Sequence, residues 1–410
     1  MTASALQRSS LLRKLALSTA SLLLGLLLAE IGVRAFVCLK AGSLYPFCRP
    51  VASDTEVEEF DDTFNHILLR DTSFVKTGSP PGLEFLTRSR INSMGFHDTE
   101  FSVNPQPGEI RIAVLGDSFV EGLQVPIELN FCNILERRLQ EKFQCPVNVI
   151  NAGTSSYSPL LEYLVYTKRI VFLHPQIVLQ VFFANDVFDD VRYSTSAKFD
   201  AQGRPLSVAS GIPWIVVDDN RDVERSMAFR EAQNRIMYER SLLTYLSYLA
   251  AWTKQKIGFW RLRRRFPDPP LSGQFFILRE EPHLVDAQKR AWDVTRSYIR
   301  LLKQECDANN AKFLLSSAPI ASQVFGESSS DLFFFRGKPS LADQENLSEI
   351  AAQLNVPYID LLPALKDSGK KSYFALDGHW TPHGHEVVAD RLYPYLCSEV
   401  LSLQQTTSSH

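Results

Sequence analysis

The sequence predicts an α/β protein: a five-stranded parallel sheet, preceded by a membrane-spanning helix and interrupted by a largely helical insertion. Three observations predict it. Beyond Gly108, short apolar runs alternate with stretches of helical periodicity; a long apolar run follows Arg8, Arg13 and Lys14; and an unusually long segment separates the third apolar run from the fourth. The 410 residues carry 43 Lys and Arg against 46 Asp and Glu, a net charge of −3 that argues against an obligate nucleic-acid binder. Apolar residues at 45% and charged residues at 22% exclude wholesale disorder. Six cysteines without a C-x-x-C pair are too few for a disulfide-built scaffold, so the core must be hydrophobic.

Residues 1–40 read as a membrane anchor. Leu15 to Ala29 holds only apolar residues, small hydroxyls and one Gly, and Ile31, Val33, Ala35, Phe36 and Val37 extend it past Glu30 and Arg34, giving contact with the membrane through residues 15–37. Those two charges stand at i and i+4, so a helix lets them pair near the far interface. The alternative, a cleaved signal peptide, lacks a clean A-x-A site after Ala29. The basic flank leaves the N-terminus cytoplasmic and the rest extracytoplasmic. Export permits disulfides: Cys38 with Cys48 is the plausible pair, whereas Cys132 and Cys145 bracket a predicted helix that holds them about 18 Å apart. Most of the cysteines are read as buried thiols.

Residues 41–108 form an irregular lead-in segment, with Pro80, Pro81 and Gly82 and an acidic run from Glu56 to Asp62 read as a solvated face. From 109 to 402 the pattern is strand, helix, strand. Strands are predicted over Arg111–Leu115, Val147–Ile150, Ile177–Phe183, Lys312–Ser316 and Val356–Ile359. Helices are predicted over Asn130–Phe143, Leu160–Phe172, Ala287–Ala308, Leu341–Leu354 and Gly384–Leu401. Right-handed crossovers then give a parallel sheet covered on both faces. The insertion, about 193–282, contains a predicted helix from Met237 to Trp260. It ends in Arg261, Arg263, Arg264 and Arg265, which either complement the helix dipole or bind phosphate, a bilayer surface or an acidic polymer.

Ligands of an open parallel sheet bind at the carboxyl ends of its strands. The first strand exits into Gly116-Asp117-Ser118-Phe119, placing a hydroxyl at a helix start, where Ser118 is either a nucleophile or an N-cap. Val120 rules out the G-x-S-x-G elbow. The second exits into Asn151-Ala152-Gly153 and the third into Ala184-Asn185-Asp186, either sources of backbone and amide donors or structural residues, Gly for a turn and Asn for an Asx-type bond. Beyond the last lies Asp377-Gly378-His379-Trp380-Thr381-Pro382-His383-Gly384-His385. Nucleophile, donors and Asp–His pair fall on different crossovers yet on one edge of the sheet, the set that acyl transfer requires.

These motifs make the chain similar to the SGNH, or GDSL-type, hydrolases. Gly116-Asp117-Ser118-Phe119 resembles the first block, Gly153 the second-block glycine, Asn185 the third-block asparagine, and His379, with Pro382 and Gly384 after it, the fifth block. Asn92-Ser93-Met94-Gly95-Phe96 and the single N-terminal span resemble membrane-anchored members. The resemblance implies a three-layer flavodoxin-like fold and a serine hydrolase without cofactor or metal. Ser118 would be the nucleophile, His379 the base and Asp377 its orienting carboxylate, with the Ser118 and Gly153 N–H groups and the Asn185 amide as oxyanion hole. It departs from the pattern twice: Ala184 replaces the usual Gly before the Asn-Asp pair, and Leu376 stands three before the histidine, where many members have the carboxylate. The main competing chemistry is a metal site built from Asp377, His379, His383 and His385. It is opposed by Pro382 and Gly384, which disfavour a regular helix there, and by the lack of H-E-x-x-H. Three functions remain open on this reading: an esterase for a small, carbohydrate-linked acyl ester, an O-acyltransferase of exported polysaccharide, and a non-catalytic carbohydrate-binding or assembly factor.

Overall fold

The computed structural model describes residues 3–41, 55–78, 84–210, 231–232, 235–236, 241–265, 273–280, 282–326, 339–375 and 377–407. The chain forms two compact units: residues 1–53, 77–86 and 230–267 make one, and residues 54–76, 87–229 and 268–410 the other.

The larger unit is built on five strands: β1 (Ile110–Gly116), β2 (Val147–Asn151), β3 (Ile177–Phe183), β4 (Lys312–Ala318) and β5 (Tyr358–Asp360). All pair in parallel in the order β2-β1-β3-β4-β5. Every residue of β1 and β3 is buried, so both faces of the sheet are covered, as all-parallel sheets require. Helices Phe131–Phe143 and Pro382–Thr407 pack together in one group, and Pro159–Val165, Asp186–Ser194 and Val285–Ala308 in another. This is the predicted three-layer fold with flavodoxin-like strand order. The chain leaves β1 toward β2 on one side, and β3 lies on the other, so the reversal of strand order opens a crevice at the carboxyl end of β1.

Three local expectations are corrected. The stretch from Leu160 to Phe172 is not one regular helix. Pro159–Val165 gives way to a wider turn over Tyr166–Ile170, where the Thr167 hydroxyl donates to Tyr163 O at 2.9 Å and competes with the backbone ladder. The predicted Met237–Trp260 helix is instead Leu242–Leu246 and Tyr248–Arg265, broken by extended Ser247; Met237 lies outside the described residues. The lead-in contains paired strands. Glu58–Asp61 pairs antiparallel with Asn65–Leu68 around a turn in which Asp61 Oδ1 accepts from the N–H groups of Thr63 and Phe64, and Ser73–Thr77 and Leu86–Arg90 form another two-stranded sheet. Glu58–Asp61 lies at an edge, three acidic residues around a Phe60 that is 80% exposed, so no hydrophobic alternation reveals it. Cys132, Cys145, Cys306 and Cys397 are free thiols, while the Cys38–Cys48 pairing lies outside the described residues because Cys48 does.

In the smaller unit, Ala3–Ala41 is one helix, of which Leu12–Leu39 is apolar and long enough to cross a bilayer.

Candidate active site

The turn after β1 decides what Ser118 does. Asp117, not Ser118, caps the short helix Ser118–Glu121, its Oδ1 accepting from the Phe119 N–H at 2.9 Å. Relieved of capping, the Ser118 hydroxyl lies 2.7 Å from His379 Nε2. The N-cap alternative for Ser118 is thereby overturned by its neighbour's longer reach into the first turn.

His379 arrives on a loop stapled at its base. Phe374 N–H donates to His379 O at 2.8 Å, Gly378 N–H to Phe374 O at 2.9 Å and Thr381 N–H to Ser372 O at 2.9 Å. The His379 Nδ1–Asp377 Oδ1 distance is 2.6 Å, so a spacing of two residues suffices for the carboxylate to reach its histidine. With Nε2 accepting from Ser118, the proton sits on Nδ1 and is donated to Asp377. The Gln124 amide also stands 3.1 Å from Nδ1. Turned so that its oxygen faces the ring, it accepts from the same N–H. Phe119, with its ring centroid 4.8 Å from that of His379, forms the apolar wall beside it.

Two aspartates flank the Ser–His pair and titrate in opposite directions. Burial pushes the Asp117 carboxyl up to about 6, against the opposing pull of the Phe119 N–H and His379. Burial also works to raise Asp377, but the charge and hydrogen bonds of His379 outweigh it and hold the carboxyl below its ordinary range. Asp377 therefore stays ionised where an imidazolium would form.

The residues predicted to be oxyanion donors lie at the neighbouring strand exits, with partners of their own. Gly153 sits where a Cβ would overlap the Glu121 backbone nitrogen and Val120, so only glycine lets the loop after β2 approach the Ser118–Glu121 helix. Its N–H points to Asn151 Oδ1 at 3.1 Å. Asn185 Nδ2 donates to Asp189 Oδ2 at 3.0 Å, leaving one of its two N–H groups for another acceptor. Ala184, in place of the glycine, is fully buried.

The helix of residues Pro382–Thr407 corrects another expectation. Pro382 occupies its first turn, where proline needs no N–H partner, and Gly384 is required because a Cβ would overlap Ser372 O. His383 is exposed and His385 buried, its Nδ1 accepting from the Phe131 N–H at 3.3 Å and its pKa depressed by burial to about 3. The four residues of the competing metal site thus do not converge. Among the described residues no group of three or more His, Cys, Asp or Glu side chains is arranged to hold a metal ion.

Sequence reasoning missed a supporting layer delivered by the lead-in. Asn92 Oδ1 accepts from the Met94 and Phe96 N–H groups, and Gly95 adopts φ 78°. This tight turn sends His97 and Asp98 beneath the Ser118–Glu121 helix. His97 Nδ1 donates to Glu121 O at 2.8 Å, and Asp98 Oδ2 accepts from the Asn151 N–H at 2.9 Å. Asn151 Nδ2 in turn donates to Val120 O at 2.9 Å, tying the end of β2 to the helix that carries Ser118. The readable signal was His-Asp directly after Asn-Ser-Met-Gly-Phe. Gln124 had none.

No family model and no curated protein matches the chain. Among solved structures it is similar to a GDSL-like lipase from Bacteroides thetaiotaomicron, at 12% identity over 71% of this chain and 89% of that one with a TM-score of 0.33. It is similar to a lipase/acylhydrolase from Enterococcus faecalis, at 12% identity over 70% and 96% with a TM-score of 0.36. An acetylxylan esterase from Geobacillus stearothermophilus matches at 12% identity over 71% and 94%, again with a TM-score of 0.36. Likenesses this distant leave the chemistry to be read from the site itself.

Proposed function

We propose that the chain is a membrane-anchored, extracytoplasmic serine esterase that cleaves a small acyl ester, carried on a carbohydrate, through an acyl-Ser118 intermediate. One observation carries the reading: Ser118 Oγ, His379 and Asp377 form a continuous relay with steps of 2.7 Å and 2.6 Å. Residues 109–402 are the catalytic domain in this reading, and residues 1–40 its anchor, supported by the length and apolarity of Leu12–Leu39.

In the forward step His379 Nε2 takes the Ser118 proton as Oγ bonds to the ester carbonyl carbon. The electron pair displaced onto the carbonyl oxygen makes an oxyanion, which the Ser118 N–H and the second N–H of Asn185 stabilise. Gly153 N–H joins them when it exchanges Asn151 Oδ1 for the stronger, charged acceptor. Collapse breaks the ester C–O bond, and the leaving alkoxide takes the proton from His379. Water then repeats the sequence and releases the acid. Asp377 holds the Nδ1–H tautomer and stabilises the transient imidazolium.

The test is the purified full-length protein on an activated acetyl ester, with and without an oligosaccharide acceptor. Hydrolysis unaffected by acceptor is the expected result. Acyl transfer to the sugar at the expense of hydrolysis would replace esterase by O-acyltransferase, and an inert protein unreactive to a fluorophosphonate probe would leave only a binding role.

A further inference from the structure

Within the smaller unit, the two charges of the apolar N-terminal helix grip another segment of the same chain. Glu30 accepts from the Tyr248 N–H at 3.1 Å, the Leu249 N–H at 2.9 Å and the Ser247 hydroxyl at 2.8 Å. Its carboxylate thus satisfies the first free N–H groups of the Tyr248–Arg265 helix, the work of an N-cap performed from a distant helix. Arg34 pairs with Glu30 at 2.6 Å, donates to Leu246 O at 2.6 Å and stacks on the Tyr248 ring.

The depth of this junction matters. Counting from the basic flank at Lys14, Glu30 lies about 24 Å along the helix, within a hydrocarbon layer about 30 Å thick. What is docked there matches that depth: Leu242, Leu243 and Leu246 are 76%, 68% and 51% exposed. Thr244 faces inward on the short Leu242–Leu246 helix, and along the next one Tyr248, Ala251, Gln255 and Leu262 face inward, while Trp252, Lys256, Trp260 and Arg264 repeat at intervals of four on the outside. The Arg264 guanidinium lies 4.1 Å from the Trp260 ring centroid. From Ser241 to Arg265 there are six Lys and Arg and no acidic residue. Alternating Trp and cations beside exposed leucines is the composition of a segment seated at the acyl–headgroup boundary, with its rings at headgroup level and its charges toward lipid phosphate.

We propose that residues 241–265 are a second membrane-seated element, latched onto the N-terminal span by Glu30 and Arg34, and that the surface they present is covered by the bilayer. The anchor is then a two-part unit. The inference rests on the reading that Leu12–Leu39 stays in the membrane, and a segment removed after export would have no use for a carboxylate that caps a later helix.

The experiment uses full-length protein in nanodiscs made with phosphatidylcholine brominated on its acyl chains, reading tryptophan emission. Wild type is expected to be quenched relative to unbrominated discs, and the Trp252→Phe/Trp260→Phe variant to lose at least half of that quenching. Equal quenching in the variant would overturn the proposal, and both substitutions conserve an apolar ring, so a folding failure does not intervene. Glu30→Ala should reduce quenching at least twofold, while Glu30→Gln, which keeps an acceptor for the two backbone N–H groups, should retain most of it; wild-type quenching in Glu30→Ala would remove the latch. Intact mass separates the underlying reading: a mature chain lacking residues 1–40 sinks the anchor itself, whereas a full-length chain without quenching sinks only the second element.

Discussion

The turn that carries Ser118 and the loop that carries His379 are held in unlike ways. The Ser118 turn is capped by its own Asp117 and braced from below by side chains of two other segments: His97 bonds Glu121 O, and Asn151 bonds Val120 O. The histidine loop is held mainly by its own backbone, with Phe374–His379 and Ser372–Thr381 bonds closing a small ring, and the carboxylate bonded to His379, that of Asp377, is local. A tight turn on a buried strand needs outside support to stay put. A short self-closed loop needs little, but depends on each side chain it carries.

That contrast can be broken or sharpened by substitution. Ser118→Ala is expected to abolish fluorophosphonate labelling and to lower kcat by about 10⁶-fold; undiminished labelling would remove Ser118 from its proposed role. Asp377→Asn should lower kcat by about 10⁴-fold, since the amide favours the wrong tautomer of His379. A loss under tenfold would hand orientation of the ring to Gln124. Asn185→Ala should cost about 10² to 10³ in kcat with KM little changed, and a near-normal rate would make its amide purely a partner of Asp189.

On the braced side, Asn151→Ala tests support rather than chemistry. It frees Gly153 N–H and removes the tie to Val120, so kcat should fall by about tenfold while fluorophosphonate labelling survives; loss of labelling would show the turn itself had moved.

The smallest effect is on stability. Burial raises the carboxyls of Asp98, Asp190 and Asp343 from 3.8 to about 7. Below the ordinary value both folded and unfolded chains keep these protons and the contribution is whole. As pH rises the unfolded chain releases protons that the folded one retains, so this stability is lost through about pH 7. Melting temperature should therefore decline from about pH 4 to about pH 7, and Asp98→Asn should flatten the decline by a few degrees. An unchanged slope in that variant would mean that Asp98 holds its hydrogen bonds as a carboxylate.

Much of the architecture was readable before any coordinates. Ile177–Phe183 was delimited to the residue, and the other four strands to within two or three, because a strand buried on both faces is an unbroken apolar run. The exit of β1 into Gly-Asp-Ser was equally plain. The lead-in strands were not, because Glu58–Asp61 is an exposed polar edge, and the supporting bonds of His97 and Asp98 link residues more than twenty positions apart.

By itself, then, the amino-acid order determined where strands end and which chemical groups stand at those ends, since both follow from local periodicity and turn chemistry. Only the tertiary structure decided that Asp117 rather than Ser118 caps the helix, that Asp377 reaches His379 across two residues, and that Glu30 serves the Tyr248 helix. The last joins groups 218 positions apart that become neighbours only after the chain has closed on itself. The first two are local contacts among several the sequence allows, fixed once folding brings His379 to Ser118 across 261 positions, since buried polar groups take whichever partner the packing brings within reach.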